Sequence, residues 1–298
     1  MVWPDAEVPI DEPLVRRLLA EQQPDLASLP LELTDAGWDN VLWRLGHELA
    51  VRMPRRAIAA PLIDHEQRWL PELAPGLPLA VPVPLRKGDP SDEFPWHWSV
   101  VPWLEGTPAD RTPVTRPDTT AERLGAFLRA MHRPAPADAP SNPWRSGPVA
   151  TRSDTFEQRV GKLAAYVDAA VLSRIWTDAA SAPAHAGPPL WVHGDLHPGN
   201  LLVRNGAVVA VIDFGDLCAG DPAVDVGAAW MSIPGGSRPR FWAAYRDVDP
   251  DLGRRAAGWA VLFSLMLLEI GLEGRPSYAD VGRRSLDELV PAAERLGL

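Results

Sequence analysis

Asp195, Asn200 and Asp213 stand close together in one stretch of the chain. It reads Trp191-Val192-His193-Gly194-Asp195-Leu196-His197-Pro198-Gly199-Asn200, then an apolar run interrupted by Asn205-Gly206, then Ile212-Asp213-Phe214-Gly215-Asp216. Asn-Gly is the strongest two-residue hairpin signal, because both turn positions need positive φ. The runs on either side, residues 201–204 and 207–212, are short and apolar. A hairpin there brings the Asn200 end back beside the Asp213 end, with Asp195 on a tight loop just upstream. Magnesium takes a few such hard oxygen ligands together with phosphate oxygens. Asp, Asn and Asp-Phe-Gly in this order suit phosphoryl transfer, with Asp195 orienting the acceptor hydroxyl and Asn200 and Asp213 holding metal. Any one of these residues alone reads as a turn residue; the set around one hairpin does not.

The rest of the chain must supply elements that hold this stretch. At 298 residues it is too long for one small core and fits two lobes. Thirteen Trp and 33 Pro are unusual, and the prolines are spread through connections rather than gathered in a tail. A net charge of −10 disfavours nucleic acid and anionic membranes as partners and favours a cationic ligand. The single cysteine, Cys218, excludes an intrachain disulfide and a cysteine zinc site, so a reducing, cytoplasmic setting is the expectation. Met1-Val2-Trp3-Pro4-Asp5 carries no basic segment leading into an apolar one, so no signal peptide is expected. The most apolar run, residues 256–268 extending to Leu272, is shorter than the roughly 20 residues of a bilayer span and reads as a buried core helix.

Residues 11–22 read as a helix, with Asp11 as N-cap, Pro13 in the first turn and Leu14, Leu18 and Leu19 on one face. Residues 31–54 read as an antiparallel meander with turns at 35–40 and at Gly46. A helix follows over 61–73, then strands over 79–85 and 96–103. Segment 102–118 is proline-rich and reads as a lobe boundary. Beyond it the pattern is helical: 119–133, one or two helices over 154–181, a helix capped by Asp221-Pro222, then 238–246, 254–272 and 277–296, with a loop over 134–148. The expected class is α+β, a sheet-rich N-terminal lobe over 1–103 with a hinge about 100–106, and a mainly helical lobe over 107–298.

The string His193-Gly194-Asp195-Leu196-His197-Pro198-Gly199-Asn200, followed by Ile212-Asp213-Phe214-Gly215 and Gly220-Asp221-Pro222-Ala223-Val224-Asp225, resembles the aminoglycoside phosphotransferase family. That family belongs with choline kinase in the bilobal protein-kinase-like fold, and the order of elements extends the resemblance from about Leu31 to the last helices. The resemblance implies ATP- and magnesium-dependent transfer of phosphate to a hydroxyl of a small molecule. An aminoglycoside-like antibiotic is the first expectation, with a macrolide, a choline-like alcohol or a sugar as alternatives. Asp195 would be the catalytic base, and Asn200 and Asp213 the magnesium ligands. His193 and Asp225 would shape the catalytic loop. A strand cation held by a helix carboxylate should reach the α- and β-phosphates, and Arg52 and Glu66 are the candidates. Arg in place of the usual Lys departs from most kinases but keeps bidentate pairing with phosphate. No Gly-x-Gly-x-x-Gly is present; the turn with Gly37 and Asn40 sits where a phosphate loop belongs. Val101 and Trp103 would lie at the adenine hinge, where Pro102 offers no N–H. For a cationic acceptor the candidate acids are Asp154, Glu157, Asp216, Glu269, Glu273 and Asp280.

Two other classes compete. A metal-dependent hydrolase could use His193, Asp195, His197 and Asp213, since alternation would set the first three on one side of an extended chain. A non-catalytic nucleotide-binding module in the same fold draws its only support from Arg52.

Overall fold

A computed structural model of the chain describes residues 5–246 and 249–295. Residues 1–4, on which the leader expectation rests, and Leu296, the end of the expected last helix, lie outside them. The chain divides into two compact units. One holds the residues up to Pro75 and again Val81–Glu105; the other holds Gly76–Ala80 and the chain from Gly106 onward.

The first unit is an antiparallel sheet with two helices. Helix α1 (Glu12–Gln22) starts where the Asp11 carboxylate accepts from the Leu14 N–H at 2.9 Å, and it buries Leu14, Val15, Leu18 and Leu19. Strands β1 (Leu31–Ala36), β2 (Asn40–Leu45) and β3 (Leu49–Pro54) form the meander. Helix α2 (Ala60–Leu73) turns Glu66 and Gln67 inward with Ile63, Trp69 and Leu70. Strands β4 (Arg86–Gly88) and β5 (Trp98–Pro102) complete a sheet of order β1-β2-β3-β5-β4. Leu18, Leu45, Met53, Phe94, Trp98 and Val100 meet in its core. The expected strand over 79–85 does not form. Pro78, Pro82 and Pro84 leave too few N–H donors for a ladder: Ala80 makes only an isolated bridge to Ala210, and pairing with β5 begins at Leu85, whose N–H meets the Val100 carbonyl at 2.8 Å.

In the second unit a short strand β6 (Thr107–Pro108) leads to helix α3 (Pro117–Met131). After the proline-rich loop come α4 (Ser153–Lys162) and α5 (Ala169–Ser181). Strand β7 (Leu190–Val192) leads into the catalytic-type loop, followed by the hairpin β8 (Leu201–Arg204) and β9 (Ala207–Val211) and by β10 (Cys218–Gly220). Helices α6 (Ala223–Trp230), α7 (Arg238–Tyr245), α8 (Leu252–Leu272) and α9 (Pro276–Arg295) close the unit. Asn205 (φ 53°) and Gly206 (φ 77°) take the two left-handed turn positions of the hairpin. Its outer face is tied down by α3: Arg123 donates to the Val208 carbonyl at 2.8 Å, and the buried Thr120 hydroxyl accepts from the Val208 N–H. Strands β7 and β10 pair with each other, a small ladder that three-residue segments do not announce in the sequence.

Among the described residues α8 alone is long and apolar enough to cross a membrane, yet most of it is buried in protein. It packs against α5, α6 and α9, which makes it the axis of the helical unit. Its one buried cation, Arg255, is 1% exposed and places α6. Its Nε donates to Asp221 at 2.7 Å, its Nη2 to Asp249 at 2.7 Å and its Nη1 to the Pro183 carbonyl at 2.9 Å. Asp221 in turn accepts the Ala223 N–H at 3.0 Å, holding the first turn of α6 although the helix itself begins after Pro222. Removing one partner of such a pair leaves a buried charge uncompensated. Arg255→Ala is therefore expected to lower stability to urea by about 3–5 kcal/mol, with Arg255→Lys recovering part of it; a midpoint that stays at the wild-type value would contradict this placement of α6.

Candidate active site

The loop after β7 is held from below by one carboxylate. Asp225, in the first turn of α6, is fully buried. Its Oδ2 accepts the His193 N–H at 2.7 Å and its Oδ1 the Gly194 N–H at 2.9 Å. His132, at the end of α3, lies 3.2 Å from Oδ2 through Nε2, and its Nδ1 meets the Tyr245 hydroxyl at 2.6 Å. Gly194 sits at φ 83°, where a Cβ would come within 2.7 Å of the Asp216 carbonyl oxygen, so the loop can turn there only with glycine. His193 is buried and spends both ring nitrogens on backbone. Nδ1 accepts the Asp195 N–H at 3.2 Å, and Nε2 therefore carries the proton and donates to the Ile212 carbonyl at 3.0 Å.

Asp195 and Asn200 face each other across the turn. The Asn200 Nδ2 donates to the Asp195 carbonyl at 2.8 Å and to its carboxylate at 3.2 Å, which leaves Oδ1 as the atom a hard cation would take. The hairpin brings Asn200 to Asp213, since the Asn200 carbonyl accepts the Ile212 N–H at 3.0 Å. Asp213 itself has φ 63°, a left-handed position unusual for a side-chain-bearing residue. Two carboxylates and an amide oxygen on one tight framework are a donor set that magnesium fits. Arg145 closes the other side: its Nη2 donates to Asp195 at 3.2 Å and its Nε lies 4.0 Å from Asp216. Asn142 donates to Asp216 at 2.7 Å.

In the first unit, Arg52 on β3 meets Glu66 on α2 at 3.0 Å, both largely buried. The turn at Gly37 is a plain hairpin connection, with the Gly37 N–H on the Asn40 carbonyl at 2.8 Å and the Gly37 carbonyl accepting from Arg55 at 2.7 Å. Val101 lies on β5, buried. The Trp103 N–H is already committed to the Glu48 carbonyl at 2.7 Å, and Arg44 covers the Trp103 ring, so Trp103 is not a spare donor for a base.

The phosphotransferase enzyme family matches residues 31–259, most of the chain. The chain belongs to that family. Solved structures that it resembles include APH(2")-IIia in complex with GDP and kanamycin, at TM-score 0.67 and 19% identity over 95% of this chain and 99% of that one. Macrolide 2'-phosphotransferase MphH from Brachybacterium faecium gives 0.60 and 22% over 93% and 98%. ADP-bound aminoglycoside phosphotransferase APH(2'')-Ib gives 0.58 and 17% over 94% and 99%. At these identities the likeness is one of fold. No curated protein matches the chain.

The phosphotransferase does not have the extended run that a hydrolase reading needs, because Gly194 reverses the chain between His193 and Asp195. Among the described residues no group of three His, Cys, Asp or Glu is placed to hold a metal by itself. Nor are the expected acceptor acids gathered together. Asp154, Glu157, Glu273 and Asp280 are exposed, and Glu269 is buried against Lys162 at 2.9 Å and Arg159 at 3.3 Å. Only Asp216 stands at the loop. Sequence reading passed over Arg145, Asn142 and His132. The first two lie in a proline-rich loop without periodicity, and His132 reads as the end of an ordinary helix.

Burial, and then the Asp195 carboxylate, push the Asp216 carboxyl up to about 6, against the pull of Arg145. A carboxyl raised in the folded state contributes stability that is full below its unfolded value and is lost as pH rises through the folded one. With EDTA present, Asp216→Asn should therefore be more stable than wild type at pH 8 by about 1–3 kcal/mol, the gap narrowing toward pH 5 in urea melts. A gap independent of pH would contradict the raised carboxyl.

Proposed function

We propose that this phosphotransferase uses a nucleoside triphosphate with magnesium, and that Asp195 aligns the acceptor hydroxyl. The carrying observation is the union of Asp195, Asn200 and Asp213 on one hairpin-braced framework whose polar backbone is satisfied by Asp225. In the reaction the bond between the γ-phosphorus and the bridging oxygen breaks, the acceptor oxygen bonds to phosphorus, the hydroxyl proton passes to Asp195, and the nucleoside diphosphate leaves. Magnesium, when bound, would neutralise charge on the phosphate oxygens. Asn200 and Asp213 are the residues that would hold it. Asp195 is oriented by Arg145 and Asn200, so it meets the hydroxyl as a base already in place. Arg52, fixed by Glu66, is the cation offered to the α- and β-phosphates, with its planar fork replacing the point charge of lysine. Gly37 and Asn40 form the turn offered to the phosphates. At the hinge the Val101 backbone and the neighbours of Trp103, rather than the Trp103 N–H, are offered to the base. The presence of nucleotides in APH(2")-IIia and APH(2'')-Ib supports this assignment.

Asp195→Ala is expected to reduce acceptor-dependent ADP release by about 10²–10⁴-fold while leaving nucleotide binding in place. Asp213→Ala should instead abolish the tightening of ADP binding by magnesium, read by calorimetry with and without the metal. Equal turnover in Asp195→Ala and wild type would remove the base from the mechanism.

A further inference from the structure

A cavity of about 290 Å³ opens in the helical unit beside the Asp195 loop. Arg145, Arg152, Thr155, Arg159 and Asp216 give its polar lining, and Trp144, Leu262 and Met266 its apolar wall, backed by the buried Trp259 and Phe263. The volume is at the small end of the roughly 300–1,000 Å³ of ligand pockets and suits one or two rings. Its charge is opposite to what the acidic composition suggests. Arg145 is shared between Asp195 and Asp216. Arg159 shares Glu269 with Lys162. Arg152 has no carboxylate partner among the described residues: its Nη2 donates to the Pro143 carbonyl, and its guanidinium lies 5.2 Å from the centroid of the Trp144 ring. Of the charged residues in the lining, three are guanidinium groups and one is a carboxylate, Asp216. In addition the Nε of Arg145, 4.0 Å from Asp216, is buried without a hydrogen-bond acceptor. Donors buried in that way are destabilising until an acceptor reaches them.

We infer that the acceptor is a hydroxyl compound with a carboxylate and a flat apolar body, rather than a polycation. The carboxylate pairs with Arg152 and offers an acceptor to Arg145, and the ring lies against Trp144, Leu262 and Met266. Guanidinium forks match carboxylates in geometry as well as charge, and the apolar wall removes the competing water. A polyamine would instead have to approach three guanidinium groups with Asp216 as the only carboxylate in the lining. The inference rests on the kinase reading above for the role of Asp195, but its charge preference stands on the cavity alone.

The test uses 4-(hydroxymethyl)benzoate, 4-(hydroxymethyl)benzamide, 4-(aminomethyl)benzyl alcohol and kanamycin, with binding read by tryptophan fluorescence on the full chain, both with magnesium-ADP and without nucleotide. The benzoate is expected to bind at least about tenfold more tightly than the benzamide, with the gap shrinking as salt is raised. Arg152→Gln, a half-buried position in a surface turn, should erase the gap, and Arg152→Lys should keep part of it. Equal binding of benzoate and benzamide, tighter binding of the amine or of kanamycin, a gap that survives Arg152→Gln, or no saturable benzoate binding would each overturn the inference. Failure of magnesium-ADP to bind, with the benzoate preference intact, would count against the kinase reading instead.

Discussion

Everything at the site depends on a buried carboxylate that has no water to turn to. A carboxylate removed from solvent is tolerable only if several donors surround it. Asp225 has three: two successive loop N–H groups and His132. The satisfaction is mutual, because those N–H groups are themselves buried and would otherwise be orphaned. The loop cannot relax without stranding the carboxylate, and the carboxylate cannot move without stranding the loop. Asp195 inherits its position from this arrangement without touching Asp225. The chain of support continues downward: Asp225 is on α6, the Ala223 N–H that starts α6 is held by Asp221, and Asp221 is fixed by Arg255 on the central helix. A phosphoryl transfer that relies on positioning more than on covalent chemistry needs this kind of rigidity.

What could be read from the sequence was local. The hairpin is specified by two adjacent residues and the apolar runs beside them, so its geometry follows from Asn205-Gly206 without knowledge of the rest. The meander and the helices of the second unit are likewise periodic enough to declare themselves. The strand expected over 79–85 failed because Pro82 and Pro84 within it, and Pro78 just before it, empty the ladder of donors. The cap at Asp11 was legible, whereas α6 takes Pro222 rather than the expected Asp221 as its N-cap; the partner of Asp221, Arg255, was not legible, since an arginine inside an apolar helix has no local mark of its depth. Arg145 and Asn142 come from a loop whose conformation is set by prolines and by the groups it touches, and no period reports on that.

Net charge was the least faithful guide. At −10 the chain promises an acidic site, yet the acids on α4, α8 and α9 are either solvated or already matched, while the arginines turn inward. Bulk charge describes how a protein behaves in a field at long range and says little about a cavity a few ångströms wide, where one guanidinium without a carboxylate decides the sign. Glu269 illustrates the difference: a buried carboxylate on α8 looks like a cation receptor until Lys162 and Arg159 are found on it.

Asp213 has a consequence of another kind. A side-chain-bearing residue in the left-handed region gives up about 1–2 kcal/mol relative to glycine there, and Asp213 is held at φ 63°. Glycine would hold this dihedral without that local cost. A copy of the gene freed from its task would thus drift toward stability by losing this very carboxylate, and selection for folding alone would erode the site. That an aspartate stands at this angle sets chemistry against robustness in a single dihedral.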